Sequence, residues 1–240
     1  MIYLKSLILI IYTILLAALT LVMGLFDRKG VLHGKIMRHW ARTLLVFSKV
    51  KYDIEGTENL AQANPALIII NHESALDIPV AIAALPINLR FIFKIELLYI
   101  PIFGWAMWQG KHIAINRSKP KQAIRAINSK SGDIITRKQN IIIAPEGTRY
   151  SDGKIGPFKK GGFKIAEKYD IPIIPVTMIG NRFCNPKNSM KIYPGKVRVV
   201  IGPAVKASQY ENLDDCIQDV RAIMIAAKEK HEPKLEASRA

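Results

Sequence analysis

The chain has 240 residues, half of them hydrophobic and 22% charged, with 35 Lys and Arg against 19 Asp and Glu for a net charge of +16. That apolar content excludes a disordered chain, and the length suits one domain of ordinary size with a short appendage. With two cysteines, Cys184 and Cys216, and no Cys/His cluster at zinc spacing, a disulfide scaffold and a structural zinc module are excluded and the chain reads as intracellular.

The positive balance asks for a polyanionic partner: nucleic acid, an anionic membrane surface or a phosphorylated substrate. It is regional. Residues 90–168 carry sixteen basic and five acidic side chains, whereas residues 51–89 carry one and five. Motifs that stack aromatics on nucleic acid are absent, so no nucleic-acid partner is expected.

In chain order, the first element is an uncharged stretch of 21 residues, Ser6 to Phe26. At about 1.5 Å per helical residue it is just long enough for a bilayer core of roughly 30 Å. It is too long for a cleaved signal peptide and lacks a small-x-small cleavage site. Residues 31–50 then place Leu32, Phe47, Ile36, Trp40, Leu44 and Met37 within an arc of about 140° on a helical wheel, opposite Lys35, Arg38, Arg42 and Lys49. This is the pattern of a basic amphipathic helix lying in the headgroup plane. Residues 1–50 are therefore expected to form a two-helix membrane-binding segment with an anionic phospholipid membrane as partner. Arg28, Lys29, Lys35, Arg38 and Arg42 follow the apolar stretch, which puts residues 51–240 on the cytoplasmic face of the inner (plasma) membrane.

After Lys51 short apolar runs alternate with mixed segments, the pattern of an α/β sheet domain. Strands are predicted near 66–70, 89–94, 112–116, 140–144 and 172–179, and helices over 78–85, 119–130 and 162–169. A hairpin is predicted over Lys191–Ile201 around Pro194 and Gly195, then an amphipathic helix over roughly 210–230 and a frayed tail from Glu232 to Ala240. In open α/β sheets the site lies where strands end, so the residues just after each strand carry most weight.

Two such places stand out. The first is NHESALD, where ALIII ends and presents His72 with Asp77 five residues on. On a continuous helix these side chains would diverge by about 140°, so they meet only across a turn, which Pro79 supports. Asp77 would then fix one imidazole nitrogen and leave the other as a base. The alternatives are Asp77 as a helix cap beside an incidental His72, or a metal site of His72, Glu73 and Asp77, for which one histidine is thin support. The second place is IIIAPEGTRYSDG, whose loop offers Glu146, Gly147, Thr148 and Arg149 as a phosphate cradle, each charge-assisted bond there worth roughly 1.5–3 kcal/mol. A surface pair between Arg149 and Glu146 is the simpler alternative. No P-loop and no GxGxxG occurs, which removes support for nucleotide hydrolysis and dinucleotide binding.

The order NHxSxxD, KxEL with PxxG (Lys94, Glu96, Leu97, Pro101, Gly104), IxIxR ending at Arg117, PEGTR and IPIIPV closely resembles the membrane-bound glycerolipid acyltransferases, in particular the 1-acylglycerol-3-phosphate acyltransferases. The resemblance runs from Pro65 to about Val176, with departures at Ala144, Tyr150, Asn116 and Gly110. It implies an α/β fold whose mostly parallel or mixed central sheet is flanked by helices. It also implies His72 as general base, Asp77 as its orienting partner, and Arg117 with Glu146, Gly147, Thr148 and Arg149 as the acceptor-phosphate site. The reaction implied is attack of a lysophosphatidate hydroxyl on the thioester of acyl-CoA or acyl carrier protein, giving phosphatidic acid, with no metal and no further cofactor. Other acceptors, glycerol-3-phosphate among them, and a non-enzymatic basic membrane- or RNA-binding module are the alternatives. Lys94 or a backbone N–H near His72 would serve the thioester oxygen, and FIFKIELLYIPIFGWAMW would line the acyl channel. No GxSxG elbow is present and both cysteines lie away from the motifs, which favours direct transfer over an acyl-enzyme.

Overall fold

The computed structural model describes residues 2–27, 29–116, 118–150, 153–189 and 191–237. Two helices, α1 (Ile2–Gly24) and α2 (Val31–Phe47), precede an alternation of strands and helices. These are β1 (Val50–Glu55), β2 (Leu67–Ile70), α3 (Asp77–Ala84), β3 (Leu89–Lys94), α4 (Phe103–Gln109), β4 (Ile113–Ile115), α5 (Pro120–Thr136) and β5 (Asn140–Ile143). They continue as α6 (Lys160–Tyr169), β6 (Ile173–Ile179), α7 (Asn181–Cys184), β7 (Gly195–Ile201) and α8 (Leu213–Ala237). The strands form one seven-stranded sheet in the order β1-β7-β6-β2-β5-β3-β4, in which only the β6–β7 pair is antiparallel. The expected α/β architecture is the one observed.

The centre of the sheet explains its sequence. β2 reads LIII and β5 NIII, and every residue of both is buried, because helices cover both faces and leave no side to be polar. Ile68 and Ile70 pack with Ala41 and Leu45 of α2 and Val80 and Leu85 at α3. Leu67 and Ile69 point the other way, to Ile134 of α5, Phe163 of α6 and Val220 of α8. A fully buried isoleucine contributes about 1.5–3 kcal/mol, and a one-residue slip would exchange the two faces. The register Leu67↔Ile141 and Leu67↔Ile173 is therefore firmly set, and β2 ends on a rigid platform.

Three expectations are corrected. β1 escapes the sequence pattern because only Val50 of its six residues is buried; it is an edge strand paired with β7 alone. The hairpin over Lys191–Ile201 is absent, and Gly195–Ile201 is one strand between β1 and β6. Upstream of Pro194 the backbone is satisfied elsewhere: Asn185 Nδ2 donates to the carbonyls of Ser189 and Lys191, and Tyr193 N–H to that of Cys184. The segment expected to line a channel divides into β3, a 3₁₀ turn (Ile95–Tyr99) and α4, and its Leu98, Trp105 and Trp108 line a pocket of about 350 Å³ with Leu21 of α1. The tail remains helical to Ala237, because Glu232 accepts from Arg182 and Leu235 lies against Gly180.

α1 contains an 18-residue window, Leu7–Gly24, long and apolar enough to cross a membrane, and only 11% of that window is buried. It is therefore not a core helix, and it associates the chain with a membrane. Tyr12 donates to Thr43 (3.1 Å), Trp40 to Thr13 (3.0 Å) and Gln109 to the Leu21 carbonyl (3.1 Å), which tie α1 to α2 and α4. α2 in turn packs Met37, Trp40 and Leu44 on the sheet domain's own core. Of its cationic face, Lys35 and Arg42 are exposed, whereas Arg38 donates to the carbonyls of Leu85 and Ile87 at the end of α3. Arg28 lies outside the described residues.

Candidate active site

The strands β6, β2, β5, β3 and β4 run parallel and side by side, so the residues that follow them line one edge of the sheet. His72 follows β2, the Pro145–Arg149 loop follows β5, and Lys94 ends β3. At about 4.8 Å per strand, β2 and β4 lie roughly 14 Å apart, the scale of a phospholipid headgroup with its reacting centre. Arg117, which follows β4, lies outside the described residues.

Asn71 sets the exit from β2. Its Nδ2 donates to the Met178 carbonyl (2.8 Å) and its Oδ1 accepts from Met178 N–H (2.7 Å), so the side chain continues the β2–β6 ladder. His72 is delivered next, partly exposed, with Nδ1 2.8 Å from Oδ2 of the fully buried Asp77. A carboxylate accepts, so this bond places the proton on Nδ1 and leaves the Nε2 lone pair free. The same Oδ2 accepts from the N–H groups of Glu73 and Ser74, both at 2.9 Å, and Oδ1 accepts from Asn181 Nδ2 at 2.8 Å. Asp77 is the first residue of α3 yet caps nothing in it, since its bonds run back into the turn and across to α7. Thus the His72–Asp77 pair of the sequence is brought together across a turn, and the helix-cap alternative is not what forms.

Glu146 is placed differently from a phosphate ligand. Its Oε1 accepts from His72 N–H (2.7 Å) and its Oε2 from Gly156 N–H (2.8 Å), so the carboxylate ties the β5 loop to the β2 loop. Burial pushes its carboxyl above the usual range, and the two backbone donors oppose that shift. The Arg149–Glu146 pair is accordingly not made. Arg149 is half-buried, and its guanidinium has no partner among the described residues. Thr148 beside it is exposed. Gly147 sits at φ 72°, and a Cβ there would meet Lys159 Nζ at 2.8 Å, so glycine both permits the turn and admits that ammonium. Lys187 Nζ donates to the Arg149 carbonyl at 3.0 Å. The loop therefore gathers Arg149, Lys159 and Lys187, of which only the first was legible from its motif. Lys94 pairs with Glu96 at 3.2 Å, about half exposed, and no hydrogen bond or ion pair among the described residues joins it to His72.

Three further residues complete the site. Asn181 opens α7 just after β6, a strand end that the sheet rule marks but no motif signals. Asn185 accepts from Ser74 Oγ through its carbonyl at 2.8 Å, which fixes the loop from the same side. Lys228 of α8 pairs with Glu73, both buried; burial pushes the Glu73 carboxyl up to about 7 despite that partner.

The sheet edge thus carries an oriented, partly exposed histidine beside a cationic loop. The acyltransferase family model matches residues 51–179, and this chain belongs to that family. It is 34% identical over 194 residues to a chloroplastic 1-acyl-sn-glycerol-3-phosphate acyltransferase of Brassica napus, covering 80% of this chain and 56% of that protein. To the 1-acyl-sn-glycerol-3-phosphate acyltransferase of Pseudomonas aeruginosa it is 32% identical over 176 residues, covering 72% of this chain and 67% of that one. The fold matches the crystal structure of the 1-acyl-sn-glycerophosphate (LPA) acyltransferase PlsC of Thermotoga maritima with a TM-score of 0.81 at 24% identity, over 94% of this chain and 92% of that one. The chain thus spans between about half and two thirds of the length of several curated relatives it matches.

Proposed function

We propose that this protein transfers a fatty acyl group from acyl-CoA or acyl carrier protein to the free hydroxyl of 1-acylglycerol-3-phosphate, giving phosphatidic acid at the cytoplasmic face of a membrane. The observation that carries it is the His72–Asp77 pair on the same sheet edge as the Arg149 guanidinium, with neither His72 Nε2 nor that guanidinium partnered among the described residues. His72 Nε2 takes the acceptor's hydroxyl proton as that oxygen attacks the thioester carbonyl. The tetrahedral intermediate then collapses, and His72 returns the proton to the departing thiolate. The buried Asp77 carboxylate stabilises the imidazolium formed between the two steps.

Direct transfer is supported by the candidate nucleophiles. Cys184 and Cys216 are buried, and burial pushes the Cys216 thiol up to about 11. Ser74 Oγ is committed to the Asn185 carbonyl. The N–H groups of His72, Glu73, Ser74 and Leu76 are engaged, so of the donors read from sequence Lys94 and the backbone N–H of the exposed Ala75 remain to meet the thioester oxygen. Arg149, with Arg117, receives the acceptor phosphate, and Lys159 and Lys187 raise the local positive potential. The mechanism needs no metal or cofactor besides the thioester.

The test is acceptor kinetics. Arg149→Ala should raise the KM for lysophosphatidate about 10- to 100-fold, the equivalent of one lost charge-assisted contact, and leave the donor KM within about twofold. Arg149→Lys should restore only part, because an ammonium does not reproduce the bidentate fork. Monoacylglycerol, which lacks the phosphate, should not distinguish the variants. A change confined to the donor KM would reassign the loop to the carrier's phosphates.

A further inference from the structure

A second polar centre lies at the opposite edge of the sheet. Arg90, the second residue of β3, is fully buried, and no carboxylate pairs with it among the described residues. One terminal nitrogen donates to its own Leu89 carbonyl (2.9 Å) and the other to the Gly30 carbonyl (3.1 Å), while Nε has no partner. A buried cation without a counter-ion costs several kcal/mol. Burial accordingly pushes Arg90 down to about 10. The nearest acid, Asp27, spends its two oxygens on the N–H groups of Val31 and His33 (3.0 and 2.7 Å) at the start of α2.

Beside it a histidine pair has fixed tautomers. Phe91 N–H donates to His112 Nδ1 (2.9 Å), so His112 carries its proton on Nε2 and gives it to His33 Nε2 (2.9 Å). The His33 proton is therefore on Nδ1, which is buried and unpartnered. Two orphaned N–H donors, on Arg90 and His33, and two unpartnered amide oxygens, of Gln109 and Gln139, thus belong to the lining of one cavity of about 340 Å³, which also holds Asp27, Lys111 and Arg137, the last paired with Asp133 at 2.9 Å. That volume is many times the roughly 30 Å³ of one water molecule. The orphaned donors and acceptors balance, but Arg90, Lys111 and Arg137 outnumber the carboxylates of Asp27 and Asp133, and that excess of positive charge selects an anion.

The cavity's position selects the source. It opens at Gly24, the end of α1, with Leu25, Phe26 and Trp108 exposed around it, the depth at which a membrane helix meets lipid headgroups. It is separate from the acyl-transfer centre: Arg90 is level with Leu67 through Ile141, and His72 lies five residues further, roughly 16 Å along the strands. We propose that this cavity binds the phosphate of an anionic phospholipid headgroup, with Arg90 as its buried counter-ion and Lys111 and Arg137 at its mouth. The bound lipid would lock the α1–α2 junction onto β3 and so anchor the chain by a specific lipid contact.

The experiment uses the full chain in uncharged detergent. Trp40→Phe and Trp105→Phe leave Trp108 as the fluorescent reporter on the cavity, and Arg149→Ala removes the proposed acceptor-phosphate contact. Titration with dihexanoylphosphatidate should give a saturable change, at least tenfold tighter than inorganic phosphate and than dihexanoylphosphatidylcholine. Lys111→Glu/Arg137→Glu should weaken it at least tenfold, whereas Lys35→Glu/Arg42→Glu, an equal charge reversal on α2, should change it less than threefold. Arg90→Gln should abolish it, and the two rim substitutions carry the test if that variant does not fold. The proposal is overturned by the absence of a saturable response, by equal affinity for inorganic phosphate, or by equal weakening in both charge-reversal variants.

Discussion

His72→Ala is expected to lower turnover by about 10²- to 10⁴-fold, the usual contribution of a general base, with little change in melting temperature. The imidazole makes one side-chain bond, to Asp77, and is itself partly exposed, so its loss removes chemistry and little packing. Asp77→Asn should cost activity and stability together. The carboxylate receives four donors, from His72, Glu73, Ser74 and Asn181, and an amide placed either way turns an NH₂ group against at least one of them. Initial rates of thiol release, with circular-dichroism melts of both variants, check this. Wild-type turnover in His72→Ala, or an Asp77→Asn protein that melts with the wild type, would contradict the assignment.

The second large effect is expected at Lys228, far from the motifs in sequence. Lys228→Met should destabilise the protein by about 3–5 kcal/mol at pH 8, because it leaves Glu73 as an unpaired buried carboxylate. The loss should shrink at pH 6. Burial raises the folded-state Glu73 carboxyl from 4.5 to about 7, so the folded chain holds this proton more tightly than the unfolded one. The group's unfavourable contribution is therefore absent below about pH 4.5 and grows as pH rises towards 7. Without Lys228 the folded-state value rises further, and at pH 6 the carboxyl is protonated and neutral. Denaturant unfolding of wild type and variant at the two pH values measures the difference. Equal destabilisation at both, or less than about 1 kcal/mol at pH 8, would show that the pair is not what holds the loop.

The site was legible in sequence where strand ends and chemistry coincide. The run ALIII could be followed to His72, and IIIA to the PEGTR loop, because both strands are buried on two faces and read as unbroken apolar runs. The turn joining His72 to Asp77 followed from five-residue spacing and Pro79. What escaped was long-range. Asn181 meets Asp77 from 104 residues away and Lys228 meets Glu73 from 155, and each sits in a segment with no motif of its own. Glu146 was legible as a site residue but not in its role, since only the fold brings the N–H groups of His72 and Gly156 to its two oxygens. β1 and β7 failed for a different reason: edge position leaves β1 with a polar face, and Asn185 takes the carbonyls that a hairpin at Pro194 would have used.

The most direct test of the account is the product formed by the purified full-length chain in lipid-detergent micelles given 1-acylglycerol-3-phosphate and acyl-CoA or acyl carrier protein. Phosphatidic acid should appear one-for-one with free thiol, with at least one of the two donors, and both should be lost in His72→Ala. Failure to form phosphatidic acid with either donor, or faster acylation of glycerol-3-phosphate or of a lysophospholipid without a terminal phosphate, would contradict it.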